Sequence, residues 1–221
     1  AGEGTLTYLR QVQDLERLHR RICVAQTGAA DVLALDQSYI CAERVAEALH
    51  GSPLEMPADL VGKFAAMRAA FAAEFSVEKA MAASDEQFCL TDAAGPQVAE
   101  VEGGIRDTHT RLQTLYRGLV DWLQETPETL RLDFKEASVQ LTGGKGLMTR
   151  ATARLKNTAM LLPQEYAGAV VHAKKASSTM EVPALQTQFF KVLRLREELS
   201  RAVRVELPPV CDRLAEAWGA T

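Results

Sequence analysis

The chain has 221 residues, 25 Lys and Arg against 29 Asp and Glu, a formal net charge of −4, and 47% hydrophobic residues. That apolar fraction is enough to bury a core, which excludes an intrinsically disordered chain. The 14 glycines and 4 cysteines are too few for a collagen-like chain or a disulfide scaffold. The slightly acidic balance disfavours a general nucleic-acid binder, so we expect no nucleic-acid partner.

The cysteines are Cys23, Cys41, Cys89 and Cys211, which are too widely separated for a CxxC or zinc-knuckle motif. We therefore expect reduced core cysteines, no metal site and no cofactor. No stretch approaches the roughly 18 to 20 uncharged apolar residues that cross a bilayer, and no basic-then-apolar leader is present. These features predict a soluble cytoplasmic protein.

The first long segment, about residues 5–50, predicts one helix. Its apolar residues recur every three or four positions, and Gly28 is its only internal glycine. A stripe of this length resembles the seam of a coiled coil. Stop signals at Gly51-Ser52-Pro53 and Met56-Pro57 end the segment.

Helical spacing resumes over about residues 58–142, with breaks at Gly103-Gly104 and Pro127. We assign Leu130, Leu132 and Phe134 to the continuation of this second helix. The Gly-rich stretch 141–146 lacks the full phosphate-loop pattern, so it predicts a loop or a helix end.

A third helix is predicted over about residues 164–218, with kinks at Pro183 and Pro208-Pro209. The predicted fold is therefore a single all-α domain of three long, kinked, antiparallel, coiled-coil-like helices. Helices of that length reach roughly 75 Å and form a rod. A rod exposes much surface per residue, so a two-fold partner chain would be needed to complete the burial of its apolar side chains. The alternative is that the Gly and Pro interruptions are true breaks in a compact bundle of about five to seven helices.

Two Glu-x-x-His pairs, Glu16 with His19 and Glu47 with His50, have the spacing found in di-iron helical bundles. Both lie on the same predicted helix, whereas such a site draws on several helices, so we interpret them as polar helix residues. His109 and His172 have no recognisable nucleophile motif nearby. We therefore predict that the chain is not an enzyme.

Charge is unevenly distributed along the chain. Residues 137–180 contain Lys145, Arg150, Arg154, Lys156, Lys174 and Lys175 against the single acid Glu165, a net of +5, which leaves −9 on the rest. Basic clusters of this kind attract anionic lipid headgroups at about 1 kcal/mol per residue. The alternative is an ordinary solvated helix face.

Two stretches resemble a known family. Residues 130–137 read Leu-Arg-Leu-Asp-Phe-Lys-Glu-Ala, and Glu197-Glu198-Leu199 is followed by Val205-Glu206-Leu207-Pro208. They are similar to motifs of the second and third helices of BAR domains, the crescent-shaped dimeric modules of amphiphysins and endophilins. This resemblance implies an elongated homodimer that binds negatively charged membranes.

The resemblance also implies roles for individual residues. Membrane contact would use Arg131, Lys135, Lys145, Arg150, Arg154, Lys156, Lys174 and Lys175. The dimer core would use the apolar stripes, which include Ile22, Val32, Leu35, Leu49, Phe64, Phe71, Leu185, Phe189, Leu199 and Leu214.

Two functions follow from these observations. The first is a dimeric, peripheral membrane module that binds anionic membrane surfaces and senses or supports curvature in trafficking, such as endocytosis. The second is an all-helical scaffold that binds protein partners without touching lipid.

Overall fold

The computed structural model describes residues 2–82, 84–157, 163–172 and 178–219. Their helices and strands are α1 (Gly2–Gln11), α2 (Leu15–Cys23), α3 (Ala29–Leu49), α4 (Ala58–Glu74), α5 (Val77–Ala82), α6 (Pro96–Leu123), β1 (Leu130–Lys135), β2 (Ser138–Gly143), α7 (Lys145–Asn157), a 3-10 helix (Gln164–Tyr166), β3 (Val170–His172), β4 (Ser178–Glu181) and α8 (Pro183–Trp218).

The expectation of an all-α fold of three long helices is wrong. The described chain contains shorter helices and an antiparallel sheet with strand order β1-β2-β4-β3. The coiled-coil-like, BAR-like rod inferred from three long helices is wrong for the same reason. The first motif of the BAR resemblance forms β1 and the turn that follows it, not a helix.

Contacts divide the chain into two compact units. Unit 1 comprises residues 1–102 and 198–221, and unit 2 comprises residues 103–197. Helices α6 and α8 each contribute residues to both units. The Gly103-Gly104 pair, predicted as a break, lies inside α6, and Pro183, predicted as a kink, begins α8.

Unit 1 contains three helices where one was predicted over residues 5–50. Asp14 caps the second of them, because its Oδ1 accepts a hydrogen bond from the Arg17 amide at 2.9 Å. Ala25 then has a positive φ of 52°, which ends the helical path, and Gly28 precedes α3. Single residues at the breaks therefore interrupt an otherwise helical apolar pattern.

The core of unit 1 is apolar and partly aromatic. Tyr39 is fully buried, and its ring meets Phe64 and Phe71 edge-on at centroid distances of 5.5 and 5.6 Å. His19 stacks on Trp218 at 4.3 Å, so the end of α8 packs on α2.

The first two strands of unit 2, β1 and β2, have alternating apolar residues, which favour a strand. In β1, Leu130, Leu132 and Phe134 are separated by polar residues, so they share one face of a strand. Leu132 lies opposite Leu141 of β2 in the antiparallel register. The sheet packs on helices through a buried core that includes Leu112, Leu119, Leu130, Leu141, Leu147, Met148, Met180 and Leu185.

Candidate functional site

Helix α7 has one apolar face and one basic face. Leu147, Met148 and Ala151 are buried in the core of unit 2. Lys145, Arg150 and Lys156 are exposed, and the sequence of α7 contains no Asp or Glu. The Leu, Met, Ala, Arg and Lys residues of this segment are strong helix formers, which explains why a helix follows the glycines at its start.

Two basic side chains of α7 have partners within unit 2. The Arg150 Nη2 lies 2.9 Å from Oε1 of Glu125, whose side chain is only 13% exposed. The Arg154 guanidinium lies over the Trp122 ring, 5.4 Å from its centroid, and Arg154 is half-buried. Glu125 partly offsets the charge of Arg150, and the contact with Trp122 keeps Arg154 half-buried. Lys145 and Lys156 are therefore the outermost cations of α7.

The other predicted membrane-binding residues lie elsewhere. Arg131 and Lys135 are exposed on β1, in a hairpin that also contains Asp133 and Glu136. The predicted residues Lys174 and Lys175 lie outside the described residues. The structure therefore brings together four of the predicted basic residues on α7 and places two on a mixed-charge hairpin.

An apolar groove that the sequence did not indicate opens at the end of β1. Its walls are Phe134 and Lys135, the turn residue Glu136, and one face of α8 that includes Phe189 and Leu193. The Phe134 and Phe189 ring centroids are 5.9 Å apart, and Phe134 remains 51% exposed. The alternation of apolar and polar residues in β1 was the one signal in the sequence that could have located it.

The residues predicted for a dimer interface are mostly buried by contacts within the chain. Ile22, Val32, Leu35, Phe71, Leu185, Phe189, Leu199 and Leu214 are buried, whereas Leu49 and Phe64 are half-buried. The eight buried side chains have little surface left for a second chain.

The side chains of Glu16 and His19, the first Glu-x-x-His pair, contact different residues and do not form a shared site. His19 Nε2 lies 2.6 Å from the hydroxyl of Tyr39, and Glu16 forms an ion pair with Arg20 at 2.7 Å. Burial lowers the pKa of His19, which favours the neutral imidazole.

The second pair is also separated. His50 Nδ1 lies 2.6 Å from Oε1 of Glu55, while Glu47 pairs with Arg44 at 3.1 Å. The Gly51 amide and His50 both donate to Glu55 and lower its pKa. Among the described residues, no three His, Cys, Asp or Glu side chains are grouped as metal ligands.

The cysteines are free thiols. Cys41, Cys89 and Cys211 are buried, and Cys23 is partly exposed. Burial raises the pKa of Cys89 and of Cys211 to about 11, so both remain protonated at neutral pH.

No protein-family model matches the sequence, and no curated protein matches it either. Within the described ranges, every helix is too short or too polar to traverse a bilayer.

Proposed function

We propose that this chain is a cytoplasmic, peripheral membrane protein that binds anionic lipid headgroups through the basic face of α7. The supporting observation is that α7 buries its apolar residues in unit 2 and directs its lysines to solvent with no acidic residue between them. Amphipathic helices with four or more Lys and Arg are typical of surfaces that recognise anionic lipids.

The attachment is electrostatic. Leu147, Met148 and Ala151 are buried in the core of unit 2, and the half-buried Leu155 packs against that core. These apolar side chains of α7 therefore face the protein rather than the acyl region of a membrane. Lys145 and Lys156, the outermost cations of α7, contribute about 1 kcal/mol each, which gives about 2 kcal/mol, or roughly thirtyfold in partitioning. Such binding is weak, reversible and sensitive to salt.

Curvature sensing is not part of this proposal. That expectation depended on a crescent built from long helices, whereas unit 2 combines a sheet with shorter helices. The proposal concerns surface charge alone.

The test is vesicle co-sedimentation with phosphatidylcholine vesicles, with and without phosphatidylserine. We expect the protein to sediment only with the serine-containing vesicles at about 0.05 M salt and to be released at about 0.5 M, where the screening length is shorter. The double variant Lys145→Glu/Lys156→Glu should bind about tenfold or more weakly, because it reverses the two outermost charges of α7.

The matched control is Lys63→Glu/Lys191→Glu, which changes the net charge equally at exposed positions on α4 and α8. It should bind like the wild type, and circular dichroism should show that all three proteins are folded. Equal binding by the α7 variant and the wild type contradicts the proposal, and so does a wild type that binds neither vesicle.

A further inference from the structure

The groove at the end of β1 combines apolar surface with charge. It has a volume of about 700 Å³, within the range of pockets that hold ligands or several side chains. Phe134, Phe189 and Leu193 provide its apolar surface. Lys135 and Arg196 line it against the single acid Glu136, so its polar rim is net positive.

The groove adjoins an open sheet edge. Within the part of the chain that the structure describes, strand β1 is the terminal strand of the sheet and pairs with β2 alone. Lys135 and Ser138 flank a two-residue turn, so they form its hydrogen-bonded pair. Because such pairs alternate along an antiparallel ladder, the backbone N–H and C=O groups of Leu132 and Phe134 point away from β2.

The start of the same edge is already occupied. The Leu130 amide donates to the Thr126 carbonyl at 3.0 Å, and the Tyr116 hydroxyl donates to the Leu130 carbonyl at 2.7 Å. The part of β1 that is open to pairing is therefore its second half, which is also the part that borders the groove.

We propose that this site binds a short, extended, acidic segment of a partner protein. The segment adds a strand to the Leu132–Phe134 edge, places one apolar side chain against Phe134 and Phe189, and places a carboxylate near Lys135. Main-chain pairing at an exposed edge with a side-chain pocket beside it is a recurring mode of peptide recognition. The edge selects an extended backbone, and the positive rim selects acidic residues over basic ones.

The probe is a fluorescein-labelled peptide of sequence TDVFVDT, measured by fluorescence anisotropy against the full chain. We expect saturable binding below about 1 mM, which corresponds to about 4 kcal/mol. The peptides TKVFVKT and TDVAVDT, which reverse the charges and remove the apolar side chain, should each bind about tenfold more weakly.

Two variants locate the site. Phe134→Ala and Lys135→Glu should each weaken binding of TDVFVDT about tenfold. Phe190→Ala is the matched control, because Phe190 is 53% exposed on α8 yet does not line the groove, and it should bind within about twofold of the wild type. Lys135→Glu changes an exposed side chain, so it tests the site without disturbing the core.

Hydrogen exchange followed by nuclear magnetic resonance tests strand addition. Saturating TDVFVDT should slow exchange of the Leu132 and Phe134 amides, while those of Arg131 and Asp133 already pair with β2. The proposal is overturned if the wild type does not bind TDVFVDT, if both groove variants bind it like the wild type, or if exchange at both edge amides is unchanged. None of these outcomes depends on α7 binding lipid.

Discussion

Glu206 shows how a single buried carboxylate can serve the fold. Its two oxygens accept hydrogen bonds from the Gln97 and Val98 amides at 3.0 and 2.9 Å, at the start of α6. These amides have no partner within their own helix, and the helix dipole favours a negative charge there. The sequence associated Glu206 with a BAR motif, whereas the structure gives it a capping role within unit 1.

We expect Glu206→Ala to lower the free energy of unfolding by about 2 kcal/mol, because it removes the acceptor from two amides at the start of α6, of which the Val98 amide is buried. Glu206→Gln keeps one acceptor and should cost about half as much. Urea denaturation followed by circular dichroism measures both. The exposed Glu216→Ala change on the same helix should lie within about 0.5 kcal/mol of the wild type. Equal stability of Glu206→Ala and Glu216→Ala would show that the cap contributes nothing.

Among the secondary-structure elements, the β1–β2 hairpin differs most from its prediction, because the sequence analysis assigned these residues to a helix. Its turn residues, Glu136 and Ala137, include no Gly, Asn or Asp and do not adopt positive φ, so the sequence carries no usual hairpin signal. The alternation of Leu130, Leu132 and Phe134 was present, but a helix also accommodates short apolar runs. Pairing with β2 and burial against the helices favour the strand.

Close packing within unit 2 explains a glycine inside α6. A Cβ added at Gly118 would overlap the hydroxyl of Tyr166, which is buried. The sequence shows only a helix with an unfavourable glycine, because Tyr166 lies in a 3-10 helix far along the chain.

We expect Gly118→Ala to destabilise the protein by about 1 kcal/mol, because overpacking outweighs the gain in helix propensity. In a Tyr166→Phe background the hydroxyl is gone, and the same change should stabilise by up to about 1 kcal/mol. A double-mutant cycle of thermal or urea unfolding measures this reversal of sign. The same effect of Gly118→Ala in both backgrounds would exclude the steric explanation.

Over the whole molecule, residues of the predicted apolar stripes are buried by contacts within one chain. Val32, Leu35 and Leu214, all predicted at a dimer interface, have no exposed surface in unit 1. An apolar stripe on a long, uninterrupted helix stays exposed until a partner chain covers it. Helices that are separated by turns can pack against one another and bury their apolar stripes within one chain.

We therefore expect Leu35→Asp to prevent folding of unit 1, since it places an unpaired carboxylate in a core. Unfolding of this variant followed by circular dichroism should no longer be cooperative. Light scattering after gel filtration measures whether each protein is a monomer or a dimer. The control, Leu60→Asp, changes a leucine that is 48% exposed on α4 and should leave the fold intact. A folded monomer from Leu35→Asp, beside a dimeric wild type, would support the predicted dimer interface instead.

Properties that depend on composition and local spacing can be inferred from the amino-acid sequence alone. It indicated a largely helical chain, a basic stretch around Lys145 to Lys156, and helices too polar to span a membrane. These follow from residue types a few positions apart, so no tertiary contact is needed to infer them.

Features that depend on residues far apart in the sequence became visible in the folded chain. Leu132 belongs to a strand because it pairs opposite Leu141, and the carboxylate of Glu125 partly offsets the charge of Arg150. The groove forms because Phe134 and Phe189 meet from elements far apart in sequence. Such contacts are selected by burial and hydrogen bonding over the whole unit, and local spacing does not encode them.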